Sequence, residues 1–249
     1  MKNNNDNTAK YYDLVSNFTK NTDITNQEYI LLKKYINHDS EVLEIGSGSG
    51  RHSTIIAPLV KSLICVDSSE EMNKLHNLKI KNLKLNNVRI LNDNFLQMDI
   101  SEWKIKFNFI YLMWNTFNEI ILTEKESRRF FQKCKEILSP RGKILINIDD
   151  SALVDPSNFD FEYEIKLDKE VIHYFWKTLK YTSKTNTSVS QEVIEISSPN
   201  ILKKTLKTKI TQRYWKGEQL LQSADSAKIQ FVKNENIKGN GELYLVFRS

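Results

Sequence analysis

The sequence predicts an α/β protein with a doubly wound parallel sheet, and three observations carry that prediction. Short apolar runs alternate with helix-period segments from Val42 to Ile148. One turn, Gly46-Ser47-Gly48-Ser49-Gly50, holds three of the seven glycines in 249 residues and directly follows an apolar run. After Asp150 the patterning switches to period two, and a pair of apolar runs closes the chain.

Helices are expected over Ala9–Phe18 and Asn26–Ile36, because Tyr12 and Val15, then Tyr29, Leu32 and Ile36, recur at three- and four-residue spacing. Thr25 is placed to cap the second. Val42–Ile45 is a short strand ahead of the glycine turn, and Ser49–Leu59 reads as a helix ending near Pro58. There follow a strand over Ser62–Val66, a helix over Ser69–Leu78 and strands over Val88–Leu91 and Phe107–Met113. A helix over Thr123–Leu138, the turn Ser139-Pro140-Arg141-Gly142 and a strand over Lys143–Ile148 complete the alternation. Strands this apolar belong to a parallel sheet covered on both faces.

Residues 159–213 contain the alternating runs FDFEYEIKL, VIHYFWKTLKY, SVSQEVIEI and LKKTLKTKITQRY, which read as antiparallel strands with polar outer faces. A short helix opens at Gly217-Glu218-Gln219-Leu220-Leu221. Ile229–Val232 and Leu243–Phe247, joined by a loop containing Gly239-Asn240-Gly241, form a C-terminal hairpin. The chain thus reads as one domain, 1–249, whose core is interrupted by a β-rich insertion over 151–212. Residues 1–8 are expected to be disordered.

An apolar fraction of 40% and an aromatic fraction of 10% belong to a folded globular protein. Cys65 and Cys134 sit in apolar-patterned segments and read as buried free thiols, which points to a reducing, cytoplasmic compartment. The amino terminus MKNNNDNTAK lacks the apolar stretch of a signal peptide, and no apolar run approaches the roughly 20 residues that span a bilayer. The net charge of +5 comes from scattered lysines, which argues for a solvated surface and against a nucleic-acid footprint.

A glycine turn between a strand end and a helix start lets a ligand approach main-chain N–H groups in the crevice of an open α/β sheet. The dinucleotide fingerprint G-x-G-x-x-G is not met, because the third glycine comes one position early and Arg51 stands where that fingerprint has its glycine. No G-K-[ST] follows, which excludes a P-loop. Glu44, two residues before the first glycine, would repel a pyrophosphate but suits a nucleoside cofactor carrying an ammonium group.

At this point a family resemblance emerges. Glu44-Ile45-Gly46-Ser47-Gly48-Ser49-Gly50 resembles the first motif, E-x-G-x-G-x-G, of the class I S-adenosylmethionine-dependent methyltransferases. Asp67, ending a strand, is similar to the family's acid for the two ribose hydroxyls, and Met72 to the residue against the adenine face. Asp93-Asn94-Phe95 resembles the position where a carboxylate and a backbone N–H meet the adenine. Met113-Trp114-Asn115 ends the fourth strand as the family's fourth motif does, and Ser139-Pro140-Arg141-Gly142-Lys143 resembles its P-G-G loop with Arg141 replacing a glycine. The resemblance implies a Rossmann-like seven-stranded sheet and S-adenosyl-L-methionine as cofactor. The cofactor residues it implies are Tyr12, Glu44, Gly46, Ser47, Gly48, Gly50, Arg51, Asp67, Ser68, Met72, Asp93, Asn94, Phe95, Met113 and Trp114. Met72 and Trp114 read equally well as plain core.

Methyl transfer from a sulfonium is an in-line displacement that needs alignment and exclusion of water, and a base only where the acceptor must lose a proton. Met113-Trp114-Asn115-Thr116 lacks the proline of a nucleobase-amino D/N-P-P-Y motif. Neither cysteine ends a strand as base C5 methylation would need, and only Asp149 and Asp150 are available for a metal, so no metal site is expected. The chain is most similar to the small-molecule group containing nucleotide-sugar N,N-dimethyltransferases and glycine-type N-methyltransferases. Its early YYDLV helix, Arg51-His52 and the β-insertion carry that likeness. The resemblance implies that Tyr11 or Tyr12, preferably Tyr12 because Asp13-Leu14 follow, closes over the cofactor. Where the sugar enzymes carry a histidine base this chain has Asn118, which cannot take a proton at neutral pH, so Glu119 or bulk water would replace it. The catalytic candidates are therefore Tyr12, Asn118 and Glu119. The expected function is methyl transfer to an N or O of a small molecule such as an amino sugar or another biosynthetic intermediate. The second reading is a cofactor-binding protein without activity, regulatory or degenerate. The aromatic run His173-Tyr174-Phe175-Trp176 exceeds what one strand face can bury, so it either roofs the acceptor pocket or meets a second subunit in a homodimer.

Overall fold

Seven strands form the central sheet of the structure, a computed structural model that describes residues 8–19, 22–101, 103–167, 170–198, 201–237 and 242–249. Residues 1–7 and the Gly239-Asn240-Gly241 loop fall outside the described residues. The strands are β1 (Glu41–Ile45), β2 (Ser62–Asp67), β3 (Val88–Asn92), β4 (Phe107–Leu112), β5 (Leu138–Ile148), β10 (Gln230–Glu235) and β11 (Leu243–Arg248), in the order β10-β11-β5-β4-β1-β2-β3. The pairings from β3 through β5 are parallel, and β11 runs antiparallel to both β5 and β10. Alternate residues feed two apolar layers, Leu43 and Ile45 on one face and Val42 on the other, which is why the strands read as continuous apolar runs.

The helices are α1 (Ala9–Thr19), α2 (Thr22–Lys33), α3 (Ser53–Ile56), α4 (Glu70–Asn82), α5 (Thr116–Ile120), α6 (Glu124–Ile137) and α7 (Gly217–Ser226). Thr123 caps α6 in a capping box with Glu126, worth about 1 kcal/mol. Three expectations are corrected. Helix α2 begins at Thr22, so Thr25 lies inside it, and its hydroxyl accepts a hydrogen bond from Arg51 instead of capping. The helix expected over Ser49–Leu59 shrinks to α3 and a 3-10 turn, Ala57–Leu59, because the left-handed Gly50 (φ 84°) interrupts any helix begun at Ser49. Ser139–Gly142 is a bulge within β5 rather than a separate turn, and Arg141 adopts the left-handed φ of 65° that a glycine would take there.

The remaining strands, β6 (Phe161–Lys166), β7 (Val171–Thr182), β8 (Thr187–Ser198) and β9 (Ile201–Arg213), form an antiparallel sheet of their own between β5 and α7. Ile172, Tyr174 and Trp176 turn inward with Ile194, Ile196 and Val15 of α1, whereas His173 is on the other face with Phe175, near Glu164. Helix α1 is thereby docked on the second sheet. No helix among the described residues is long and apolar enough to cross a membrane. Cys65 and Cys134 are buried free thiols.

Candidate active site

The strand order reverses between β1 and β4, and the ligand crevice of such a sheet lies outside the carboxyl ends of those strands. Three glycines shape the β1 end, with φ of 73° at Gly46, 51° at Gly48 and 84° at Gly50. A Cβ on Gly46 would come within 2.2 Å of Thr116, and one on Gly50 within 2.1 Å of the His76 ring. A Cβ on Gly48 would meet only Tyr12, at 3.9 Å. Gly46 and Gly50 therefore serve the packing of the turn, and Gly48 faces the cleft beneath Tyr12.

Asp67, at the end of β2, accepts hydrogen bonds from the Gly48 and Ser69 backbone N–H groups, each at 2.8 Å. Both carboxylate oxygens are thus oriented by the main chain beside the glycine turn. Ser69 caps α4, whose first turn carries the buried Met72. Asp93 is exposed beyond β3 with its carboxylate accepting from the Asn94 N–H, and Asn94 in turn accepts from Leu96. The Phe95 side chain is 2% exposed and packs edge-on against Phe130 in the core, so only its main chain is left for a nucleoside.

Glu44 is buried. Its side chain projects from the face of β1 that bears Val42, beneath α3, with the Cys65 thiol 3.7 Å away and His52 Nδ1 at 4.0 Å. Burial pushes its carboxyl up to about 8 against the hydrogen bonds of Tyr111, Ser53 and Cys65. It braces the turn from below.

The chain after β4 is bent by two successive left-handed residues, Trp114 (φ 53°) and Asn115 (φ 58°), a conformation that costs about 1–2 kcal/mol for each non-glycine residue. A buried network holds it. The Arg51 guanidinium stacks on Trp114, 3.1 Å from the ring centroid, and donates to Glu28 at 3.1 Å. Glu28 of α2 is fully buried and also accepts from Trp114 Nε1 at 3.0 Å and Tyr244 Oη at 3.3 Å, with His52 Nε2 at 3.0 Å. Asn115 is fixed by Asn147 and Asp149. Sequence reasoning missed Glu28, whose signal was a carboxylate on the same helix stripe as Leu31 and Leu32.

Helix α1 covers the turn. The Tyr12 ring lies 6.3 Å from that of Trp114, and Asp13 accepts a hydrogen bond from Ser49 and pairs with Lys79 at 2.6 Å. Burial and the charges of Glu119, Asp67 and Asp13 hold the Tyr12 hydroxyl well above its ordinary value, with Arg51 opposing, so it stays a neutral donor. Glu119, on α5, is half-buried at the cleft. Burial together with the charges of Glu192, Asp67 and Asp149 pushes its carboxyl up to about 8. Glu192, on β8, accepts from Tyr174 Oη at 3.3 Å, and burial raises its carboxyl too. Asn118 is not at the cleft: it is fully buried, donates to the Asp149 and Arg213 carbonyls at 3.1 and 2.8 Å and accepts from the Asp149 N–H at 3.2 Å. Its amide ties α5 to β5 and β9 and is a positioning group.

The cleft fits a sulfonium nucleoside. Ser47 Oγ is buried with no hydrogen-bond partner, the Gly48 α-carbon leaves room for close approach, and Asp67 offers oriented acceptors to a diol. Among the described residues no group of three or more His, Cys, Asp or Glu is arranged to hold a metal ion.

Residues 42–142 match the profile of the family described as "Methyltransferase domain". No curated protein matches the chain. Among solved structures, the CcbJ methyltransferase from Streptomyces caelestis is similar with a TM-score of 0.80 at 19% identity, covering 100% of this chain and 98% of that one. An S-adenosylmethionine-dependent methyltransferase from Clostridium acetobutylicum gives a TM-score of 0.78 at 14% identity over 96% and 97%. CalS10 from Micromonospora echinaspora, described as an amino pentose methyltransferase and solved with S-adenosylmethionine, gives 0.76 at 12% identity over 96% and 95%. Family profile, strand order and glycine turn coincide on the same strands: residues 42–142 are similar to the methyltransferase domain family, and the whole chain shares the fold of these solved structures.

Proposed function

We propose that this protein methylates the nitrogen of a small, amine-bearing molecule, with Glu119 as general base. The observation that carries the reading is Glu119 itself, a carboxyl at the cleft raised to about 8 by burial and by Glu192, Asp67 and Asp149. When bound, S-adenosyl-L-methionine supplies an electrophilic methyl on its sulfonium. Asp67 holds the ribose diol, Tyr12 closes the cleft above Gly48 and excludes water, and Glu119 takes the proton the acceptor must shed.

Magnitude favours nitrogen over oxygen. An alkylammonium titrates near 10, about 2 pKa units above Glu119, so deprotonation costs roughly 3 kcal/mol. A hydroxyl resembling water titrates about 8 units above Glu119, a cost of roughly 10 kcal/mol, and among the described residues no group of three or more His, Cys, Asp or Glu is arranged to hold a metal that would lower it. The amino pentose methyltransferase of the same fold supports an amine on a sugar skeleton as the acceptor. We further assign the inserted sheet, 151–212, to the roof of the acceptor side, within a single 1–249 domain.

Isothermal titration with S-adenosylmethionine and S-adenosylhomocysteine, followed by mass-spectrometric screening of amino sugars, nucleotide amino sugars and small amines, tests the reading. Binding of both nucleosides and a 14-dalton gain on an amine are expected, the gain being that of one methylene by general chemistry (~14 Da). Binding without transfer to any free amine would favour the non-catalytic reading, and no binding would overturn both.

A further inference from the structure

The inner face of the inserted sheet is divided. Ile172, Ile194 and Ile196 are buried at one end against Val15 of α1. At the other end the buried residues are polar: Ser188 and Ser190 on β8, with Thr208 and Gln212 on β9. Glu192 stands at the boundary, opposite Trp176 on β7 and Thr208 on β9. A carboxylate on the core-facing side of a strand is costly unless something compensates it.

The described residues supply hydrogen bonds there and no ion pair. Tyr174 Oη donates to Glu192 at 3.3 Å and Thr8 bonds it as well. Among the described residues, no lysine, arginine or histidine forms an ion pair with Glu192 or Glu119. Two further polar groups beside Glu192 are unmet: Trp176 Nε1 and Thr178 Oγ1 are buried without hydrogen-bond partners. Across the cleft, Glu192 is the leading charge that holds the Glu119 proton on. Two carboxyls sharing a cleft without a cation, next to unpaired donors and a row of hydroxyls, form a site completed by a positively charged, hydroxyl-bearing ligand.

We propose that Glu192 is the specificity-determining residue for the acceptor, receiving its ammonium group while the polar half of the inserted sheet holds a polyhydroxylated skeleton. The acceptor is then a free amino sugar or a close relative, bound as the cation, and neither its N-acyl form nor its all-hydroxyl counterpart is accepted. This rests on the reading of the cleft as an amine methylation site and adds the group that selects the amine.

The test uses the full chain saturated with S-adenosylhomocysteine. Methyl glycosides carrying a free amine at C2, C3 or C4 are titrated beside their N-acetyl and hydroxyl counterparts. At least one amine glycoside is expected to bind tenfold or more tightly than its counterparts. Glu192→Gln is expected to erase that preference and leave S-adenosylhomocysteine affinity unchanged, whereas Glu192→Asp, which keeps the charge, retains most of it. Absence of amine preference in the wild type, its survival in Glu192→Gln or its loss in Glu192→Asp would each overturn the assignment of charge recognition to Glu192. Failure of S-adenosylhomocysteine to bind the wild type would instead overturn the reading of the cleft, and the proposal with it.

Discussion

Replacing Gly50 by alanine separates the two duties of the glycine turn. The substitution places a Cβ 2.1 Å from His76 Cδ2 and 2.5 Å from its Nε2, at a backbone φ of 84°. The left-handed backbone costs about 1–2 kcal/mol with a side chain, and overpacking adds about 1–3 kcal/mol. His76 cannot yield freely, because its Nε2 is hydrogen-bonded to Ser53 Oγ at 2.7 Å, a link worth about 1 kcal/mol. The sum is about 3–6 kcal/mol, or a melting-temperature drop on the order of 6–24 °C for a chain of this size. Gly48→Ala is the control: its Cβ meets only Tyr12 at 3.9 Å, so about 1–2 kcal/mol of backbone strain is all it should cost. Its effect should fall on the ligand, with S-adenosylhomocysteine binding weakened roughly tenfold, about 1.4 kcal/mol. Urea unfolding, titration calorimetry and a double-mutant cycle of Gly50→Ala with His76→Ala read these quantities. Equal destabilisation by the two glycine variants, or no coupling between positions 50 and 76, would refute the division of roles.

Three other outcomes are expected. Glu119→Gln should lower kcat by roughly 10²–10⁴-fold with cofactor affinity retained. Since a carboxyl at about 8 becomes a base only as pH rises, wild-type kcat/KM should climb toward pH 8, and this limb should vanish in the variant. Glu44 has a folded-state value of about 8 against an ordinary 4.5, so its neutral form contributes stability that is fully present below 4.5 and lost as pH rises through about 8. Urea midpoints at pH 5 and pH 8 should therefore converge in Glu44→Gln. Asn118→Ala strands two carbonyls and an N–H in the interior, costing about 2–4 kcal/mol in equilibrium unfolding, and its loss of activity should track loss of folded protein.

The central sheet was legible because each strand carries apolar residues for both faces, and the glycine turn and Asp67 because they are local features of the chain. The inserted sheet was legible from its alternation, and that alternation also placed Tyr174 and Trp176 on one face and His173 on the other. What escaped was the set of groups paired over long sequence distances. Glu28 meets Trp114 and Tyr244, 86 and 216 residues away, and nothing local announces such partners. Asn118 sat where a base was wanted, yet its amide is consumed by the backbone of Asp149, just after β5, and of Arg213 on β9. Glu28 and Glu192 did leave one trace, a carboxylate in phase with an apolar stripe. Period arguments sort residues into inside and outside, and a charge on the inside marks the place where they hand over to chemistry.

Helix α1 belongs to two compartments at once. Tyr12 overlies Gly48, Asp13 is fastened to Ser49 and Lys79, and two residues on, Val15 is embedded in the inserted sheet. On the proposed reading, a nucleoside bound at the turn lies beneath Tyr12, and a movement of this helix that admits it also displaces Val15 from the inserted sheet. Turnover should consequently obey a compulsory order, donor first and acceptor second, with the spent nucleoside the last to leave. Initial-rate patterns would show it as competitive inhibition by S-adenosylhomocysteine against the donor and noncompetitive inhibition against the acceptor.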